Sequence, residues 1–465
     1  MNILHTVRGL LLAVLLLNAA APAAAPAAAA RLPQALPALF IEPAPGNTAE
    51  PSARPAAAPG AQRERFVMLD RAALDRVQPP AAIDLNLFPD LRLTAQIDSL
   101  SRRDATEMWT AHLPGQPGGQ VFAVVQDGQL SLDVQLADGY YQVRPAGNGL
   151  HTIQQIDQSA YPEELPPIEI DAGPQAGLDA AAAGSPDASA APDDGSQIDV
   201  LVAWTPAAER AAGGAAAIQS LINLAVLETN ASYTNSGVHQ RIKLVKMVRT
   251  EYLQSGSLQT DLLRLQAAGD KHMDELHTLR DAYHADLVSL IIKADDYCGL
   301  AYHMSSVSSA FAANGFSVVA SSCATGYYSF AHELGHNMGA RHDWYIDDAR
   351  TPQRYAHGYV NPAGGWRTIM SYNDLCRVRG ISCTRIPYWS NPAVSYNGAP
   401  TGVAVGTDAS CTADNKNNPA CDADDHRTLN DTAVVVANFR QSVPLVPPAP
   451  FWEADHYLVL PVIRK

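Results

Sequence analysis

Between Phe66 and Asp157 short apolar runs alternate with polar positions and are cut by turn residues. Val121-Phe122-Ala123-Val124-Val125 gives way to Asp127-Gly128 and then to Leu130-Ser131-Leu132-Asp133-Val134, and Asp138-Gly139 and Gly147-Asn148-Gly149 punctuate the runs that follow. A period of two with tight turn pairs predicts a small antiparallel β unit. From Ile198 the pattern changes. Ile198–Trp204 predicts a strand, and Pro206 falls in the first turn of a helix predicted to run to Tyr233, with Gly213-Gly214 weakening its start. A strand near Gln240–Val248, a helical region over Leu258–Tyr283 and a nearly continuous apolar strand over Asp286–Lys293 complete a β-α-β-α-β order. That order predicts an α/β (α+β) unit whose mostly parallel, twisted sheet carries helices. Gly299–Ser322 is expected to add one edge strand, Tyr328–Met338 a helix, and His426–Arg440 a closing helix.

Composition sets the boundaries. Met1–Arg8 is weakly basic, Gly9–Leu17 apolar, and several A-x-A sites lie between Ala19 and Ala30, which is the pattern of a secretory signal peptide. The apolar run is too short to span a bilayer, and no other stretch reaches the roughly 18 apolar residues that a transmembrane helix needs. An exported chain without a transmembrane anchor is expected. The predicted division is a signal peptide and Ala/Pro-rich leader over 1–30, a β-rich unit over 31–160, a linker over 161–196, a globular domain over 197–442 and a tail over 443–465. The linker, as in Gly184-Ser185-Pro186-Asp187-Ala188, is too poor in large apolar residues to pack and is expected to be disordered. In the tail, Tyr457–Ile463 reads either as a docking strand or as an export signal.

The formal charge is −15, and most of the acidic excess lies before Ser196, so nucleic acid is not an expected partner. All six cysteines fall between Cys298 and Cys421. In an exported chain they read as three disulfides, and proximity pairs Cys298 with Cys323, Cys376 with Cys383 and Cys411 with Cys421.

One stretch carries chemistry. Residues 332–342 read H-E-x-x-H-x-x-G-x-x-H. On a helix, His332 and His336 are four apart, so both imidazoles leave one face and suit two corners of a zinc tetrahedron. Glu333 lies between them, placed to act as general base towards a water at the metal. Gly339 tolerates the backbone angles needed to leave the helix, and the turn returns His342 as a third ligand with a fourth position open. A satisfied buried helix would explain neither the glutamate nor the third histidine.

Downstream, Trp366-Arg367-Thr368-Ile369-Met370-Ser371-Tyr372 resembles the Met-turn of metzincin metallopeptidases, in which a methionine forms an apolar floor under the metal. Asp343 directly after the third histidine, and His336-Asn337-Met338-Gly339, resemble the adamalysin or reprolysin-like branch. Tyr372, two residues past Met370, is instead similar to astacins and serralysins, where a tyrosine there ligates zinc and swings. For Tyr372 three roles stand open: zinc ligand, oxyanion donor, or packing. Asp343 is expected to be structural, hydrogen-bonded beneath the site.

The resemblance covers about Ile198–Ser442. It implies a metzincin-like catalytic domain with zinc helix and Met-turn, protein or peptide substrates, and a β-rich propeptide acting as the chain's own inhibitor until cleavage in 161–196. With no cysteine before Cys298, a cysteine cannot be the temporary zinc ligand of such a propeptide. A carboxylate or simple steric blockage remains. A substrate is expected to add as a strand antiparallel to the sheet edge near Asp296–Tyr302, with residues up to Pro392 walling the pocket beyond the scissile bond. Arg377, Arg379 and Arg385 there either favour acidic or polar side chains or form a solvated basic loop. Asp408, Asp414, Asn415, Asp422, Asp424 and Asp425 either bind a structural calcium or make a disulfide-tied polar loop. The function expected is secreted zinc endopeptidase. Its rivals are a narrow processing peptidase and a zinc-stabilised binding protein or adhesin without turnover.

Overall fold

The computed structural model describes residues 36–43, 58–103, 105–173, 192–406 and 421–442. The expected signal peptide (1–30), the tail (443–465), Cys411 and calcium candidates Asp408, Asp414 and Asn415 lie outside the described residues. Among the described residues no single helix is long and apolar enough to cross a membrane.

The alternating region folds as one antiparallel sheet of nine strands: β1 (Phe40–Ile41), β2 (Ala61–Leu69), β3 (Ala82–Phe88), β4 (Leu91–Arg103), β5 (Thr106–His112), β6 (Gln120–Gln126), β7 (Gln129–Gln135), β8 (Tyr140–Gly147) and β9 (Leu150–Ile156). A one-turn helix, α1 (Arg71–Leu74), follows β2. The sheet order β1-β2-β9-β8-β7-β6-β5-β4-β3 needs only hairpins from β3 to β9. Asp127 and Gly128, both at positive φ, make the tight β6–β7 turn that the Asp-Gly pair encodes. Alternate positions such as Val121, Ala123, Leu132 and Val134 point into one core, while Phe122 and Val124 on the opposite face pack on Leu224.

The second sheet contains β10 (Ile168–Ile170), β11 (Gln197–Trp204), β12 (Arg241–Arg249), β13 (Leu287–Ile292), β14 (Gly299–Met304) and β15 (Phe316–Ala320), in the order β10-β14-β15-β13-β11-β12. β10–β14, β15–β13, β13–β11 and β11–β12 pair parallel; β14–β15 pair antiparallel. Helices α2 (Pro206–Ala212), α3 (Ala215–Ser236), α4 (Leu258–Gln266), α5 (Asp274–Ala282), α6 (Ser329–Asn337), α7 (Asp374–Arg377) and α8 (Asp425–Val436) accompany it. A small sheet of β16 (Val360–Asn361), β17 (Trp366–Arg367) and β18 (Thr384–Arg385) lies downstream of α6.

Several sequence expectations are corrected. The helix expected over 206–233 is two, bent by 89° where Gly213 adopts a left-handed φ of 102°. The region over 258–283 is also two helices, and the single edge strand over 299–322 is the β14–β15 pair. Within the stretch 161–196, expected to be disordered, residues 161–173 have defined partners. Residues 161–173 are held by ion pairs and by the β10–β14 ladder, and Tyr161 stacks on Tyr327 with ring centroids 4.7 Å apart. The segment's carboxylates pair with arginines far away in sequence, so composition did not reveal them. The disulfides Cys298–Cys323 and Cys376–Cys383 are formed; Cys421 is also disulfide-bonded. Asp422 ion-pairs with Arg354 and Asp424 caps α8, so both have protein partners.

The nine-stranded sheet meets α3 through a polar seam. Gln120 and Asn235 exchange side-chain amide hydrogen bonds, both 3.0 Å long, Gln126 donates to Gln219, and Ser220 bonds Ser131. Within this seam Glu228 of α3 accepts from the Gly326 N–H at 2.9 Å, and Arg144 pairs with Asp133 at 2.6 Å. Burial, followed by the Asp133 charge, pushes the Glu228 carboxyl well above its ordinary 4.5. The folded chain therefore holds that proton more tightly than the unfolded chain. The stability this gives is fully present below pH 4.5 and is lost as pH rises towards the folded value. Replacing Glu228 by Gln should remove this dependence, so the variant's Tm gains on wild type as pH is raised from about 4 to about 8. Parallel Tm–pH profiles for the two proteins would rule the effect out.

Candidate metal centre

α6 carries the metal-ligand pattern in a wholly buried helix. His332 and His336 leave one face of it. At its end Gly339 takes φ 91°, and a Cβ there would lie 2.9 Å from the Pro352 ring, so the reversal requires glycine on both counts. The returning chain brings in His342. The three Nε2 atoms converge, with separations of 3.1 Å (His332–His342), 3.1 Å (His332–His336) and 3.0 Å (His336–His342). This trio is the one cluster of potential metal ligands among the described residues.

The protons are placed away from the convergence point. Nδ1 of His332 faces the Ile369 carbonyl and Nδ1 of His336 the Ala340 carbonyl, each at 2.9 Å, so each Nε2 presents a lone pair inward. Burial brings His332 down to about 4, and burial together with the neighbouring imidazoles holds His336 and His342 well below the ordinary value. Three neutral imidazoles with converging lone pairs repel one another unless a cation is shared between them. The spacing suits nitrogens about 2.0–2.1 Å from one zinc ion.

Glu333 is fully buried, and neither carboxylate oxygen has a hydrogen-bond partner within the protein. Such an acceptor is costly unless a cation or reacting proton is its partner, so the donor set fits a catalytic metal. Burial first, then the charge of Glu164, pushes its carboxyl well above the ordinary range, with Arg385 opposing. Gly299 on β14 allows the close approach, since a Cβ there would stand 2.3 Å from Oε1 of Glu333.

Met370 is completely buried and its Sδ lies against Gly335, where an added Cβ would be 2.9 Å away. The same added Cβ would stand 2.8 Å from the Trp389 ring. Asp343 accepts from the backbone N–H of Tyr372 at 2.9 Å and of Tyr345 at 3.1 Å, tying the turn after His342 to the Met370 segment. Burial lifts its carboxyl to about 7. His357 contacts the His342 carbonyl at 2.7 Å, and Asn337 donates to the carbonyls of Tyr302 and Phe316, anchoring α6 to β14 and β15.

Tyr372 lies beside the ligands, its ring 4.2 Å from that of His342. Its hydroxyl, kept protonated by burial, donates to the backbone carbonyl of Glu164 at 2.6 Å. Glu164 was not singled out from sequence, because it falls in the stretch read as linker. Its carboxylate is gripped by Arg385 (2.6 and 3.0 Å) and by Ser329 at 2.6 Å, with both charged side chains fully buried. Glu163 adds contacts to Asn373 N–H and Tyr327 Oη, and Glu169 forks onto Arg341 with both bonds 3.0 Å. Of the three arginines considered for substrate selection, Arg385 is buried, whereas Arg377 and Arg379 are exposed. A doublet of acids ahead of the first strand of the globular unit was the available signal.

The family description Reprolysin_5, metallo-peptidase family M12, matches residues 194–382. A peptidyl-Asp metalloendopeptidase of Xanthomonas campestris pv. campestris is 34% identical over 424 residues, spanning 87% of this chain and 92% of its own. Its namesake from Stenotrophomonas maltophilia (strain R551-3) is 37% identical over 341 residues, or 71% and 73% of the two chains. The Pseudomonas fragi protein of the same name is 38% identical over 189 residues, which is 40% of this chain and 99% of its own.

The crowding at Gly335 yields a test. Gly335→Ala should cost about 1–3 kcal/mol, because Trp389 and the Met370 thioether must both give way under the metal helix. Lower Tm together with faster zinc loss to a chelator is the expected result; unchanged values would show that the floor beneath the helix is pliable.

Proposed function

The chain belongs to metallo-peptidase family M12 and is a zinc metalloendopeptidase, and from that premise we propose that it is exported as a zymogen and cleaves proteins with Glu333 as general base. The observation that carries the mechanism is the buried, unpartnered Glu333 carboxylate beside three converging imidazole nitrogens.

His332, His336 and His342 hold the ion. Zinc bound there supplies the positive charge that acidifies water, polarises the scissile carbonyl and draws Glu333 back towards its ionised form. Glu333 takes a proton from the attacking water and passes it to the departing amine. Tyr372 offers a protonated hydroxyl to the developing oxyanion once its bond to Glu164 is released. Asp343 and Met370 hold the framework in place. The polar seam beneath α3 and the charged clasp on residues 161–173 support reading the nine-stranded unit as a removable propeptide, blocking the site until the chain is cut within 161–196. The expected signal peptide and the disulfides support export. The relatives' name supports a preference for Asp in this chain too, which places it nearer a restricted peptidase than a general one. Glu333 weighs against a binding protein without turnover, since a purely structural site needs no base.

Glu333→Ala should retain zinc while cleavage of casein falls by at least about a hundredfold; a zinc-loaded variant that still cleaves at the wild-type rate removes Glu333 from the mechanism. Full-length chain should be nearly silent until nicked within 161–196, and equal activity before and after nicking would dispose of the zymogen reading.

A further inference from the structure

We propose that Arg385 selects an acidic side chain beside the scissile bond, and that Glu164 occupies this subsite in the full-length chain. The inference rests on the endopeptidase reading above and adds the residue that enforces its preference.

Arg385 lies on β18 in the stretch following Met370, and its guanidinium is 0% exposed. Its surroundings in the catalytic unit are acceptors without formal charge: the carbonyls of Tyr327 and Ser371, each at 3.1 Å, and the Tyr327 ring, with its centroid 4.2 Å away. Among the described residues its ion-pair partners are Glu164 and, more distantly at 3.4 Å, Glu163. Both belong to the segment that a cut within 161–196, placed after Glu164, would separate from Arg385. Arg367, beside it, likewise has Glu163 as its acidic partner, at 3.8 Å. Once that segment leaves, the guanidinium keeps its carbonyl acceptors and the Tyr327 ring but loses the carboxylates that pair with it and cover it. A neutral side chain that covers the guanidinium again desolvates the charge without pairing it, whereas a carboxylate restores the fork.

The subsite adjoins the reacting centre. Ser329, the third group on the Glu164 carboxylate, lies on α6 one turn before His332 and Glu333. The Glu164 carbonyl is bonded to Tyr372, whose ring lies against His342. Glu164 thus has its side chain in the arginine pocket and its backbone beside the metal ligands, as a bound substrate residue would. The chain direction differs. β10 runs parallel to β14, with Ile168 opposite Tyr302 and Ile170 opposite Met304, whereas a substrate strand is expected antiparallel. The reversed backbone lets the segment fill the acidic subsite without presenting a peptide bond in the orientation that is cut. Exposed Arg377 and Arg379 keep their hydration whether or not an acid is near, so neither enforces a choice.

The test uses full-length protein after its own maturation, with two quenched peptides differing only by Asp or Asn at one position. Wild type should favour the Asp peptide by at least about a hundredfold in kcat/KM, the scale of discrimination when a buried polar group is left unpaired. In Arg385→Gln that ratio should fall to near one. An Arg385→Gln enzyme that keeps the wild-type ratio overturns the assignment. So does a wild type that cleaves both peptides alike, an outcome that leaves the endopeptidase reading standing. Cleavage of neither peptide, nor of casein, by zinc-loaded protein would bring down the endopeptidase reading and this inference together. Should Arg385→Gln fail to fold because Glu164 loses its partner, Arg385→Gln/Glu164→Gln removes both charges, and the same ratio decides. Glu164→Gln alone, in chain not yet nicked, should raise cleavage of the Asp peptide severalfold; unaltered latency overturns the assignment of Glu164 as occupant.

Discussion

Everything near the centre of this molecule follows from holding three neutral imidazole nitrogens about 3 Å apart in a dry interior. Left to themselves such groups separate or protonate. Here a buried helix fixes two of them, a glycine reversal delivers the third, and backbone carbonyls orient the rings. The methionine and tryptophan that press on Gly335 keep the helix from retreating. The site's rigidity is therefore distributed, and its outer supports (Asp343, His357 and Asn337) act by preventing motion.

The same economy explains the chemistry of residues 161–173. Leu165, Ile168, Ile170 and Ala172 pack at the margin of the main core, and Tyr161 is buried against Tyr327. The segment is also held by Glu163, Glu164 and Glu169 against Arg385, Arg367, Arg341 and their polar neighbours. Buried ion pairs of this kind are weak as net stabilisers and strong as specifiers of place, because either partner alone is costly. A segment bound in that way is fixed in register, because each carboxylate finds its partner at one place only.

What could be read from sequence was what local rules determine. The converging histidine trio beside Glu333 was legible because helical spacing alone brings His332 and His336 to one face and Gly339 marks the return. The antiparallel unit was legible from its period of two and its Asp-Gly turn. The break at Gly213–Gly214 was visible only as a weakness, since whether two glycines bend a helix depends on what each half packs against. Glu164 and Arg385 are 221 positions apart in sequence, and nothing local to either indicates that they meet. Gly299 and Gly335 were equally silent, for their requirement comes from side chains arriving from elsewhere. Among the three arginines after the Met-turn, burial alone singled out Arg385, and burial is a property of the assembled fold.

The polar seam between the nine-stranded sheet and α3 has a kinetic consequence. Its serines and amides fix the register, and two apolar clusters accompany them: Phe122 and Val124 with Leu224, and Tyr140 and Ile156 with Cys298, Ala320, Cys323 and Tyr327. While the chain is continuous, the tether keeps the two surfaces at an effective concentration in about the millimolar range, so even a weak contact is occupied almost all the time. On the zymogen reading proposed above, a cut within 161–196 would replace that figure with the concentration of the protein itself. Control would then pass from covalent connectivity to dilution. In that proposal the same cleavage would leave the two units associated in a small volume and separate them in a large one, so the volume around the molecule would set how long the nine-stranded unit stays bound.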